Sequence, residues 1–168
     1  IKIMSLTAIK QFFVEADQGP LQVEFEEGQA HLPVMVLCHP HPLYGGSMHD
    51  AVLDTAANTA QSLGIGWLRF NFRGVGASAG THMPSVNEPA ETADLAAVLS
   101  WLADNTTNQA YITLGYSFGA YVICHSKAHP SLQQPTHTPP PTPAHTHKHT
   151  QASTPRAGPG RQPPRAAG

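Results

Sequence analysis

The residues best suited to chemistry are Gly115-Tyr116-Ser117-Phe118-Gly119. A serine with a glycine two positions away on each side suits a sharp turn from strand into helix. Such a turn strains the backbone and lifts the hydroxyl above the sheet edge. The glycines leave room for the neighbouring strand and helix. The N–H of Phe118 then points at the oxyanion that forms when a carbonyl is attacked, and the helix start adds a favourable dipole. The chemistry is acyl transfer, with Ser117 as catalytic nucleophile and Phe118 in the oxyanion hole. Because G-x-S-x-G arises by chance in many sequences, the reading needs a strand before the motif and a helix after it.

The surrounding pattern supplies both. Gln11 to Glu15 and Leu21 to Phe25 read as short strands around a Gly19-Pro20 turn. Pro33 to Cys38 is a continuous apolar run, expected of a strand covered on both faces. His49 to Leu63 has helical periodicity, with Val52, Leu53, Ala56, Ala60 and Leu63 on one face and Gly64 as the stop. Gly66 to Phe72 is a strand and Arg73 to Gly80 a glycine-rich loop. Glu88 to Asp104 is a second helix with a Leu95, Val98, Leu99, Leu102 stripe. Its Glu88, Glu91 and Asp94 are read as first-turn residues on a solvated face. Tyr111 to Leu114 is a buried strand, and Ser117 to Lys127 a third helix. Strand and helix in alternation build a mostly parallel sheet with helices on both faces. Ligands then bind outside the carboxyl ends of the strands, where the loops His39 to Gly46, Arg73 to Gly80 and Gly115 to Gly119 lie.

Three blocks, His39-Pro40-His41-Pro42-Leu43-Tyr44-Gly45-Gly46, Arg69-Phe70-Asn71-Phe72-Arg73-Gly74-Val75-Gly76-Ala77-Ser78-Ala79-Gly80 and Gly115-Tyr116-Ser117-Phe118-Gly119-Ala120, resemble small bacterial esterase-like members of the α/β-hydrolase superfamily. The resemblance covers roughly residues 8 to 127. It implies a small carboxylic-ester or related acyl substrate and a Ser, Asp, His triad in that chain order. It also implies that the His39 loop gives the second oxyanion donor. Pro40 and Pro42 have no N–H, which leaves His41 as the donor by the family pattern and Leu43 as the alternative. The His39 and His41 side chains are read as loop braces, since a metal would need a third ligand. Gly74-x-Gly76-x-x-x-Gly80 has the wrong spacing for a dinucleotide fingerprint and is read as tight turning, with Arg73 paired to an acid that fixes the loop. Cys38 and Cys124 are read as small buried hydrophobes. No metal and no cofactor is expected.

A serine hydroxyl needs a base, and the base an acid. No Asp or Glu follows Ser117, the last acid being Asp104. His125 lies on the helix that starts at the nucleophile and faces the wrong way. The remaining histidines, His129 to His149, fall in a different kind of chain. Ten of the 16 prolines lie in residues 128–168, which hold no acid and no aromatic and have Leu132 as their one large apolar residue. That composition is expected of a disordered Pro/His/Thr-rich tail. The expected organisation is therefore α/β: a truncated α/β-hydrolase domain over residues 1–127, then the tail over 128–168. The abrupt change suggests a reading-frame shift or misjoined gene. The strand at Tyr111 to Leu114 would be left as an exposed sheet edge, and the chain without turnover. Two other readings stand beside the hydrolase. One is a non-catalytic binding protein that keeps the pocket; the other is metal or partner binding through His145-x-His147-x-His149.

The net charge of −2 suggests no polyanion, so no nucleic acid is expected. Two cysteines are too few for a disulfide framework. No apolar run suits a membrane span and no signal peptide opens the chain, so a cytoplasmic location is the default expectation.

Overall fold

Apolar and polar residues alternate through Leu21-Gln22-Val23-Glu24-Phe25-Glu26. A strand sends such a sequence to two different faces, and the computed structural model shows both. It describes residues 8–84, 87–108 and 110–132. The strands are β1 (Lys10–Ala16), β2 (Gly19–Glu26), β3 (Val34–Cys38), β4 (Gly66–Phe70) and β5 (Tyr111–Gly115). The helices are α1 (Ala51–Ser62), α2 (Glu91–Asn105) and α3 (Phe118–His125), with one 3-10 turn at Pro42–Tyr44.

The sheet order is β1-β2-β4-β3-β5. β3 runs parallel to β4 and β5, while β1/β2 and β2/β4 are antiparallel. The parallel pairs therefore form one half of the sheet and the N-terminal strands the other. β5 stands at the margin, as its sequence led us to expect. The first turn falls at Asp17-Gln18, two residues earlier than expected, because Gly19 and Pro20 already pair with Ala16 and Glu15. Pro20, which has no N–H to give, opens a strand without loss there.

Helices cover both faces. Val34, Val36, Leu68 and Phe70 point to the face of α2 and α3, joining Val23, Phe25, Leu95, Val98, Leu102 and Val122 in the larger core. Trp101 of α2 lies against Phe12 and Phe25 on this side, at ring separations of 4.4 and 5.6 Å. On the opposite face Leu37 and Trp67 meet Leu53, Ala57 and Ala60 of α1. The stripe of α1 is thus 53, 57, 60, and Val52 and Leu63 are exposed at 43% and 61%. Leu63 lies past the last turn, where the helical angle no longer holds. Asp50 caps α1 by accepting the Val52 N–H at 2.9 Å. α2 starts at Glu91 rather than Glu88, since Pro89 disfavours helical backbone at the residue before it.

Charge is buried beside α1. In the β2/β4 register Glu24 faces Arg69 and Glu26 faces Trp67. Arg69 Nε donates to Glu24 at 2.7 Å, its guanidinium also reaches Asp54, and Trp67 Nε1 donates to Glu26 at 3.0 Å. The packed body continues past Lys127: Leu132 is buried in the larger core and the His129 N–H donates to the Tyr111 hydroxyl at 3.2 Å. Residues 133–168, with the rest of the expected tail and its histidines, lie outside the described residues.

Removing one partner of a buried ion pair strands the other charge. Arg69→Ala is expected to lower stability by about 3 kcal/mol. Lys10→Ala breaks the Lys10–Glu27 pair, whose side chains are 58% and 53% exposed, and changes stability by less than about 0.5 kcal/mol. Urea unfolding of the two variants at one pH measures the contrast.

Candidate active site

Ser117 lies two residues past Gly115, the last residue of β5, and directly before Phe118, the first residue of α3, with φ 53° and ψ −113°. It is the one non-glycine with positive φ among the described residues. Holding an L-residue there costs about 1–3 kcal/mol, so the surrounding contacts must impose it. They are visible. The Tyr116 N–H donates to the Cys38 carbonyl at 3.1 Å, and the N–H groups of Gly119 and Ala120 donate to Tyr116 and Ser117 carbonyls. A Cβ on Gly119 would stand 2.0 Å from the Cys38 carbonyl oxygen, and one on Gly115 would stand 2.4 Å from the Ala120 nitrogen. Both glycines of the motif are therefore required by close approach. A serine at a helix N-cap commonly spends its oxygen on the first turn; Ser117 makes no such bond and is exposed. It stands exposed at the carboxyl ends of β3 and β5.

The neighbouring loop is pinned by His39. The imidazole is fully buried. Its Nε2 accepts the Phe72 N–H at 3.0 Å, and its Nδ1–H donates to the Pro40 carbonyl at 2.7 Å. Both ring nitrogens are used, and the tautomer follows from the backbone groups they meet. The ring ties the end of β3 to the segment after β4, which is the brace expected of it. Burial pushes its pKa down to about 4, against the opposing pull of the Pro40 hydrogen bond, Asp50 and Glu91.

His41 caps the 3-10 turn. Its Nδ1 accepts the Leu43 N–H at 3.2 Å, and its carbonyl accepts the N–H groups of Tyr44 and Gly46, each at 3.1 Å. Its ring meets that of Phe118 edge-on, with centroids 4.8 Å apart. Two of the sequence-derived site residues, His41 and Phe118, are thus in contact, and Phe118 is bonded to the third.

The loop after β4 turns through Gly74, Gly76 and Gly80, all at positive φ. Its anchor is Arg73, which donates to Asp94 through its backbone N–H at 2.9 Å and its Nη2 at 2.7 Å, and to Asp17 at 3.0 Å. Arg73 therefore pairs with an acid that fixes the loop. That acid was expected on a solvated face, and so was Glu91. Instead Asp94 is 0% and Glu91 1% exposed, because the first turn of α2 is directed into the loop rather than away from it. Glu88 is exposed. The cysteines divide: Cys38 is buried, with its thiol pKa raised by burial, while Cys124 is exposed on α3.

One pair had no signal in the sequence. His82 Nδ1 lies 2.6 Å from Glu91 Oε1, between side chains 8% and 1% exposed. A lone histidine in an irregular loop has no periodicity that points to a partner nine residues on. The His82 ring stands edge-on to those of His41 and Phe118, at 4.9 and 5.6 Å. His41, His82, Glu91, Phe118 and Tyr121 line a cleft of about 290 Å³. His125, at the far end of α3, is exposed and its Nδ1 bonds to the Tyr121 carbonyl at 2.8 Å. Among the described residues, no group of three or more His, Cys, Asp or Glu is placed to hold a metal ion.

The fold is that of the α/β-hydrolases, and solved structures similar to this chain are α/β serine hydrolases. An α-β serine hydrolase homologue from Coxiella burnetii is 36% identical, with TM-score 0.60 over 67% of this chain and 54% of that one. A lidless α/β serine hydrolase from Xanthomonas campestris is 38% identical, with TM-score 0.61 over 69% and 54%. An uncharacterized protein of Rickettsia prowazekii is 35% identical over 114 residues, 67% of this chain and 47% of the relative. The chain thus spans about half the length of these relatives. No protein-family model matches it.

Two outcomes follow from the backbone and the brace. Ser117→Gly relieves the positive φ and is expected to raise stability by about 1 kcal/mol, measured by chemical unfolding. His39 is neutral in the fold down to about pH 4, whereas in the unfolded chain it takes up a proton below about pH 6.5. Its contribution is therefore complete above about pH 6.5, falls as pH drops, and levels off below about 4. The loss is on the order of 3 kcal/mol. The difference in unfolding free energy between wild type and His39→Gln should shrink across that window; a constant difference would count against the assignment.

Proposed function

We propose that this chain is built as the nucleophile-bearing part of an esterase-like serine hydrolase, acting on a carboxylic ester or related acyl substrate. The observation that carries the reading is the exposed Ser117, held at positive φ where β5 passes into α3. In the proposed step, Ser117 Oγ bonds to the carbonyl carbon and its proton passes to solvent water. The carbonyl oxygen takes the negative charge between the N–H groups of Phe118 and His41. The bond to the alcohol oxygen then breaks, the alkoxide takes a proton from water and leaves as the alcohol, and the acyl group stays on Ser117. His41 is favoured over Leu43 as second donor because the Leu43 N–H is already given to the His41 ring.

The described residues hold no imidazole bonded to Ser117. An oxyanion hole retains part of a hydrolase's rate without a working triad. The behaviour proposed for these residues by themselves is therefore slow acylation without turnover. The same observation favours a second reading, a binding protein that keeps the pocket and performs no chemistry.

A fluorophosphonate probe separates the two. Slow labelling that disappears in Ser117→Ala is expected, with no sustained release of nitrophenol from a short-chain nitrophenyl ester. A folded chain that takes no label would remove the nucleophile assignment and leave the binding reading.

A further inference from the structure

The loop after β4 is fastened twice to the first turn of α2. Near its start Arg73 donates to Asp94, and further on His82 Nδ1 lies 2.6 Å from Glu91 Oε1. Glu91 and Asp94 are three residues apart, so both carboxylates stand on one helix face. His82 turns inward from an exposed stretch: its side chain is buried, while Thr81, Met83 and Pro84 are exposed. The pair is not an efficient stabiliser. His82 Nε2 and Glu91 Oε2 are buried with no hydrogen-bond partner among the described residues, and a buried pair gains most when its remaining atoms are satisfied. What the bond to Glu91 does accomplish is to hold the imidazole in one place.

That imidazole meets two other rings. It stands edge-on to His41 at 4.9 Å and to Phe118 at 5.6 Å, and His41 and Phe118 stand edge-on to each other at 4.8 Å. These separations are favourable for aromatic pairs. The rings close a triangle, with one corner following each of the parallel strands β3, β4 and β5. We propose that His82, held by Glu91, is a positioning residue that sets the spacing of the His41 and Phe118 N–H groups. The inference rests on Ser117 as nucleophile and on those two groups as the oxyanion hole. Phe118 is fixed beside β3 by the close approach of Gly119. His41 has no such anchor: its turn bonds back upon itself, from Leu43, Tyr44 and Gly46. Among the described residues no hydrogen bond joins His41 to Phe118, so ring packing sets their distance. His82 is the third ring of that packing, and its bond to Glu91 ties it to a helix. Oxyanion donors work by standing in place before the charge forms, and a displacement of about 1 Å costs on the order of 100-fold in rate.

The test is the rate at which a fluorophosphonate labels the full chain. In that step Ser117 Oγ bonds to phosphorus, the P–F bond breaks, fluoride leaves and the hydroxyl proton passes to water. The phosphoryl oxygen takes the place of the oxyanion. Glu91→Leu removes the acceptor that holds His82. It should lower the maximal labelling rate at least about tenfold, with the probe concentration for half-maximal rate changed less than about twofold. Glu91→Gln keeps an acceptor for the Nδ1 proton and should restore the rate to within about threefold of wild type. If Glu91→Leu does not fold, the double variant His82→Leu/Glu91→Leu serves, because removing both partners leaves no polar group of the pair unsatisfied; the same fall is expected. The amide NMR shifts of His41 and Phe118 should move in Glu91→Leu and return toward wild type in Glu91→Gln. Undiminished labelling in the leucine variants, a fall carried by weaker probe binding alone, or a glutamine variant as slow as the leucine one would overturn the proposal. A wild type that takes no label removes the nucleophile, and the shifts then decide by themselves: moved amides support the positioning role, and unmoved ones overturn it as well.

Discussion

Everything at the candidate site depends on one close approach, the first turn of α3 against the last carbonyl of β3. Gly119 lies so near the Cys38 carbonyl that a side chain there would overlap it, and the Tyr116 N–H is bonded to the same oxygen. With those two contacts made, the chain has no room to enter the helix through an ordinary turn. Ser117 must take up a positive φ, and it is left exposed there. The strain is local, but what enforces it is the β3/β5 pairing from Val34 to Cys38, which fixes where that carbonyl stands. Ser117 is thus positioned by a strand that acts through its backbone and not through its side chains.

How much of this could be read from the sequence depends on the range of the interaction. The motif around Ser117 was legible because its constraints lie within five residues. The β3 and β5 strands were legible because a strand covered on both faces is expected to be apolar throughout, and Pro33 to Cys38 and Tyr111 to Leu114 leave little alternative. Arg73 could be read as needing an acid, though not which one. Glu91 and Asp94 were misread as solvated because a helix start is a common place for acids. Their burial depends on His82 and Arg73 arriving from a loop. The stripe of α1 was misplaced at its ends, where Leu63 looks periodic but lies beyond the last turn. Cys124 was read as buried because cysteines usually are; its position on the outer side of a short helix decided otherwise.

The loops show a consistent division of labour among histidines. His39 uses both ring nitrogens on backbone groups and is held neutral by burial, so it has no proton to trade at ordinary pH. His41 spends one nitrogen on its own turn and turns its ring to Phe118. His82 alone has a nitrogen left over beside a carboxylate. The His41 and His82 rings lie 4.9 Å apart, and the hydrogen bonds of the three histidines set them apart: His39 braces the loop, His41 caps its turn and His82 holds Glu91.

The sheet also separates the two tryptophans. Trp67 packs with α1 beside the Arg69 guanidinium, and Trp101 packs among phenylalanines under α2. Each layer of the molecule therefore contains its own indole, one in a charged setting and one in an apolar setting. Their emission should differ in colour and in sensitivity to quenchers. The protein thus carries a separate optical reporter for each face of its sheet, without any label being added.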